Sequence, residues 1–181
     1  MPADMKPTIA QAAMRLLMER GVKKLTVKDI VEECRITRQA FYYHFEDIPE
    51  LFRWMLEQGT DRMLRDVLSQ GSAEEGLRRF FITAVHAIPY VKRGMDSNYG
   101  PELEQLLRQY TQRFFARAAE ERNFYAGSSP AESRFILRYH SQAILGLLRE
   151  WTQEDTAHLD EIVRTIYRLM ADGIQPQDRT T

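Results

Sequence analysis

One stretch, Thr26–Phe45 (TVKDIVEECRITRQAFYYHF), constrains the fold of this chain more than any other. Val27, Ile30, Val31 and Cys34 recur at i, i+3, i+4 and i+7, which gives a short helix one apolar face. Thr26 stands ahead of that face with Asp29 three residues on, the layout of a capping box. Arg35-Ile36-Thr37 then breaks the period: Ile36 can tuck inward, and Thr37 is a good N-cap for a second helix. That second helix, Arg38 to about His44, buries Phe41 and Phe45 and leaves Arg38, Gln39, Ala40, Tyr42, Tyr43 and His44 on or near its outward face. Two short helices with a three-residue break form a helix-turn-helix. A short helix projecting donors and aromatics from its first turns suits a DNA major groove.

The remaining chain reads as helices in support of this element. Ile9, Ala12, Ala13, Leu16 and Leu17 form a stripe ending near Gly21, and a helix this short needs the two-helix unit to pack on. Asp47 with Glu50 opens a long helix to about Ser69, and Ser72 with Glu75 opens another that Pro89 ends or kinks. Gly94 to Gly100 reads as a loop, and the next helix runs to about Glu121. Ser129, Pro130 and Glu132 together mark a helix start. That helix, to about Thr152, is apolar nearly all round, which predicts burial on more than one side. A last helix is expected over about Thr156 to Met170, with a disordered tail at 176–181. No strand alternation and no internal repeat are present, so the fold class is all-α.

Composition narrows the function classes. Of 181 residues 44% are hydrophobic and 28% charged, enough for a packed core and against global disorder. No apolar run reaches the roughly 18 residues of a membrane span, and the first ten residues lack a secretory layout. A single cysteine excludes an internal disulfide framework, and no Cys/His spacing suggests zinc. The expectation is a cytoplasmic protein. Net charge is −1, but Lys23, Lys24, Lys28, Arg35 and Arg38 lie in or beside the two-helix unit, which gives a modest local electrostatic case for DNA. Cys34, on an apolar period, is expected in the core. No acid/base pair, metal spacing or phosphate-cradling loop points to an enzyme.

With Thr37-Arg38-Gln39-Ala40-Phe41-Tyr42-Tyr43-His44-Phe45 at this place, the chain resembles the TetR family of transcriptional regulators, specifically over roughly residues 8 to 56. Trp54 and Gly146-Leu147-Leu148-Arg149-Glu150-Trp151 are similar to the subgroup typified by dihydroxyacetone-kinase regulators. The resemblance implies a three-helix DNA-binding domain over 1–48 and a helical effector-binding and dimerisation domain over 49–175. It implies a homodimer on double-stranded DNA, reading a palindromic operator, with an unknown small-molecule effector and no other cofactor. Carried over by position, Arg38, Gln39 and Tyr43 face base edges, Lys28 reaches a guanine, and Thr26, Thr37, Ala40, Tyr42 and His44 lie near phosphates. Arg forks onto guanine and Gln onto adenine, each worth about 1–3 kcal/mol of discrimination.

Three positions depart from the family pattern. Arg35 stands where many members have glycine, and a left-handed arginine costs about 1–2 kcal/mol. Cys34 replaces a usual alanine. Ile48 stands where a lysine often touches phosphate, which removes about one counterion from the salt dependence. In the body, His86, Tyr90, Tyr110, Phe114, Tyr139 and His140 are candidates to line an effector pocket, with core packing as the plainer role for each. Ile144, Gly146, Leu148, Ile162 and Ile166 are candidates for the dimer surface. A second function class stands beside the regulator: a helical coactivator with weak DNA affinity that needs a protein partner.

Overall fold

The computed structural model describes residues 4–172, and the expected tail at 176–181 lies outside them. Among the described residues the regular structure is helical: α1 (Lys6–Met18), α2 (Val27–Cys34), α3 (Arg38–His44), α4 (Ile48–Leu68), α5 (Ala73–Met95), α6 (Gly100–Glu121), α7 (Pro130–Arg149), α8 (Gln153–Ala157) and α9 (Leu159–Asp172). The fold is all-α, an N-terminal helix-turn-helix followed by a helical body.

Side-chain caps set most of these boundaries. Thr26–Asp29 and Ser129–Glu132 are reciprocal capping boxes at the heads of α2 and α7. Ser72 and Glu75 exchange the same pair of bonds ahead of α5, at 3.0 and 3.1 Å. At α4 the Glu50 amide donates to Asp47 Oδ1 at 2.7 Å, while the Glu50 carboxylate reaches the amide of Glu46 rather than that of Asp47. Two expectations need correcting. Pro89 does not end α5, which continues six residues beyond it to Met95; its missing N–H forfeits one bond of the ladder. A further reciprocal box, Thr152–Asp155, starts the short helix α8 in what the spacing alone presents as a connection.

Two compact units are present. The head unit combines the chain up to Arg62 with Ala87–Arg113; the body unit combines Met63–His86 with the chain from Phe114 onward. In the head unit Ile9, Leu25, Ile30, Phe41 and Leu51 have no exposed surface at all, and Phe45 and Ile48 very little. Leu106 of α6 joins the same core. Asn98, in the link between α5 and α6, closes this unit: its amide donates to the Lys23 carbonyl at 2.9 Å. Its side-chain oxygen accepts from the Leu25 amide at 2.8 Å, and its side-chain nitrogen donates to the Leu25 carbonyl at 3.4 Å.

The body unit is organised on aromatic rings. Phe80 lies 5.0 Å from Phe114 and 4.9 Å from Phe115 between centroids, and Phe81 lies 5.6 Å from Trp151. Leu64, Leu77, Ile144, Val163 and Ile166 complete its buried core. The apolar composition of α7 does not bury it on two sides: Phe135, Tyr139 and Leu147 are exposed, while Ser141 and Ile144 face inward.

Candidate nucleic-acid interface

The recognition element is held by anchors on its inner side. Phe41 and Phe45 are 6.0 Å apart between ring centroids, and Trp54 meets Phe45 edge-on at 5.9 Å. These contacts fix the rotation of α3, so the residues between the anchors must point away from the core. Arg38, Gln39, Tyr42 and Tyr43 are exposed there. Tyr43, at 81% exposure, has almost no intramolecular seat, and exposure of this degree is unusual for an aromatic unless it serves recognition. Ala40 and His44 are half-buried at the margin, with the His44 ring edge-on to Tyr43 at 5.1 Å.

The turn between α2 and α3 adopts the strained geometry that Arg35 raised as a question. Arg35 lies at φ 57, ψ 42, in the left-handed region. The strain sits inside a closed hydrogen-bonded turn: the Ile36 amide donates to the Val31 carbonyl at 3.0 Å, and the Arg35 amide to that of Glu32 at 3.2 Å. Those bonds satisfy carbonyls that a helix end leaves orphaned. Ile36 packs into the head core from this turn.

Several expected contacts are already engaged within the chain. The Thr26 amide and hydroxyl both donate to Asp29 Oδ2, at 3.0 and 2.6 Å, so a phosphate contact there requires the box to open. The Thr37 hydroxyl accepts from the Ala40 amide at 3.1 Å and remains exposed. Lys28 Nζ sits 3.8 Å from Glu32 Oε1 with both side chains largely exposed, a pairing worth little and easily exchanged. Cys34 packs against the head core, with burial raising its thiol above the ordinary range.

Two features were not read from the sequence. Lys6 lies over the Phe45 ring at 5.2 Å, which places a cation near the end of α3 that no local spacing reveals. Ile48, in place of a basic residue, is 1% exposed and belongs to the core, and the polar residues around it are the carboxylates Glu46, Asp47 and Glu50.

Residues 9–55 match the family model for bacterial regulatory proteins of the tetR family. Residues 9–55 are therefore an N-terminal domain of the tetR type. The chain is 23% identical over 87 residues to the probable acrEF/envCD operon repressor of Escherichia coli K12, covering 47% of this chain and 40% of that one. It is 31% identical over 58 residues to the dhaKLM operon transcriptional activator DhaS of Lactococcus lactis, covering 32% and 31%. The chain therefore spans less than half the length of these curated relatives in the matched region. Among solved structures it resembles the dihydroxyacetone kinase operon activator DhaS with a TM-score of 0.63 and 20% identity, over 94% of this chain and 96% of that one. That likeness concerns the fold.

The other residues singled out beyond the N-terminal domain divide between the two units. Tyr90 and Tyr110 belong to the head unit, whereas His86, Phe114, Tyr139 and His140 belong to the body unit. His86, Tyr90 and Tyr139 are exposed, and Tyr110 packs against the head core, where burial raises its phenol. His140 is half-buried, and burial lowers its pKa. Phe114 alone of the six lines a cavity, one of about 70 Å3 in the body unit. The expected pocket set was chosen by residue type, and helical phase scatters it. Of the expected dimer residues, Ile144 and Ile166 are core, with 1% and 9% exposure, and Leu148 and Ile162 pack against that core. Gly146 is exposed, with open space where a side chain would stand.

Proposed function

We propose that this chain is a ligand-responsive, DNA-binding transcriptional regulator, acting in the cytoplasm as a homodimer on a palindromic operator. The observation that carries the reading is α3 itself: Phe41 and Phe45 lock its inner face while Arg38, Gln39, Tyr42 and Tyr43 stand exposed on the other. Arg38 and Gln39 at its head supply the forked donors and acceptors that discriminate bases, and phosphate contacts from Thr37, Ala40 and His44 set the register. In this reading residues 1–48 read DNA, and 49–175 supply effector binding and dimerisation.

The exposed stripe on α7 supports a dimer. Phe135, Tyr139, Ala143, Gly146 and Leu147 lie within one band of the helix, with two small residues between the large ones. An apolar face of this kind on a soluble chain gains by being covered. A twofold partner places two copies of α3 about 34–36 Å apart, one turn of DNA. The relatives named above include a repressor and an activator, and repression is the sign we infer.

A second reading rests on the head of α4. Glu46, Asp47 and Glu50 place three carboxylates after the recognition helix, where they oppose phosphate. A protein-dependent coactivator with weak DNA affinity of its own accommodates them. The double variant Arg38→Ala, Tyr43→Ala separates the two readings in a mobility-shift titration on the chain's own promoter fragment. Direct readout requires at least a tenfold loss of affinity. Binding equal to the parent's removes α3 as the reader.

A further inference from the structure

The cavity in the body unit has walls that are nearly all apolar, among them Leu77, Phe80, Phe114, Ala118, Tyr167 and Met170. Two polar side chains share its lining, Arg122 and Tyr125. Arg122 turns one nitrogen to the backbone: its Nη2 reaches the carbonyls of Val67, Leu68 and Gln70 at 3.4, 3.3 and 2.7 Å. It thereby caps the end of α4, where orphan carbonyls carry partial negative charge. Tyr125 is the opposite case. Its hydroxyl is buried and has no hydrogen-bond partner, the one such side-chain atom among the described residues.

A buried donor left unmade is costly, and native structures rarely tolerate one unless a ligand, ion or water completes it. Here the residue that carries the orphan group also lines the open volume. We propose that this cavity binds a small neutral molecule with an apolar body and one hydroxyl or carbonyl group, which completes the Tyr125 hydroxyl. Charge and size define the class. The cation in the wall is turned toward the α4 carbonyls, so an anionic ligand would have to draw Arg122 away from them to gain a partner charge. A cavity of about 150 Å3 holds benzene, so 70 Å3 encloses roughly three heavy atoms of a short aliphatic chain, and the cavity is open on one side to admit the rest. The proposal deepens the ligand-responsive reading by naming the ligand class, and it rests on that reading only for the consequence of binding.

The test uses the full chain with isotope-labelled methyl groups, titrated with 1-butanol or with butyrate, which has the same chain length and a negative charge. Butanol should shift the Leu77, Ala118 and Met170 methyl resonances at millimolar concentration, with butyrate at least tenfold weaker. Tyr125→Phe should weaken butanol about fivefold, the worth of one neutral hydrogen bond. Xenon, which needs volume and no hydrogen bond, should enter the parent and Tyr125→Phe alike. The proposal is overturned if butanol leaves those methyls unmoved, if butyrate binds as well, or if Tyr125→Phe binds butanol like the parent. Loss of xenon in Tyr125→Phe would also overturn it, by showing that the ring shapes the wall and its hydroxyl does nothing. Occupancy is read without DNA, so the two readings fail separately. Butanol bound at these methyls with operator affinity unchanged retains the site and removes it from regulation.

Discussion

The head core and the body core are both built on phenylalanines at helical spacing, yet they close differently. In the head, Ile9, Leu25, Ile30, Phe41 and Leu51 are sealed completely, and the strain sits at the surface, in Arg35. In the body, Phe80, Phe114 and Phe115 border unfilled space, the Tyr125 hydroxyl is buried without a partner, and α7 leaves large apolar side chains uncovered. A surface that must hold two or three side chains in register needs a rigid mount, since displacements of about an ångström break bidentate contacts. A region that responds to a ligand needs the reverse, a packing that is incomplete until the ligand arrives.

Substitutions break or sharpen this contrast in order of size. Phe41→Ala opens a void in the sealed core and should cost about 3–5 kcal/mol, read as a drop in the urea midpoint, with DNA binding lost alongside it. If the loss is under about 1 kcal/mol, the head core is not the closed mount described, because such a site would have collapsed around the void. Tyr125→Phe should move the other way. Deleting an unsatisfied buried hydroxyl is expected to stabilise the ligand-free chain by about 1 kcal/mol, checked by thermal unfolding. Arg35→Gly, the matching repair in the head, should gain about 1 kcal/mol by relieving the left-handed backbone. Gly there also loses more freedom on folding, which keeps the gain from being larger.

The smallest effect is on pH. Hydrogen bonds from Ser129 hold the Glu132 carboxyl below its ordinary range, and those from Thr152 do the same for Asp155. A depressed folded pKa gives stability that is full above the unfolded value and is lost as pH falls through the folded one. The heads of α7 and α8 should therefore loosen on the acid side, below the ordinary carboxylate range. Amide exchange at Glu132 and Asp155 against pH reads this directly, and Glu132→Gln should flatten the response at α7.

How much of this was legible in the sequence depends on how local the cause is. Thr26–Asp29, Ser72–Glu75 and Ser129–Glu132 act over three residues, and each marked a real helix start. Arg35 was legible as a problem through the resemblance, because many family members have glycine at that place, and it is left-handed. Thr152–Asp155 is equally local but comes directly after Trp151, whose ring continues the apolar pattern of α7 and hides the stop. The body residues have causes that are not local. Which way His86, Tyr139 and His140 face depends on the phase of two helices against neighbours that no window of sequence contains. The orphan Tyr125 and the committed Arg122 are likewise facts of distant carbonyls, 52 to 55 residues away in the case of Arg122.

The Asn98 bonds carry a consequence for how the protein is made. The residues that match the family model leave the ribosome early, but Leu25 finds its side-chain partner 73 positions later. At about 5–20 residues per second, Leu25 must wait on the order of 4–15 s before Asn98 emerges, and slightly longer for Leu106. During that interval Leu25 and Phe52 lack part of their cover, and the nascent segment is exposed to holdases and proteases. Emergence of Asn98 and Leu106, rather than the arrival of α3, is then the event that completes the head core, and chains truncated before them should lack that cover.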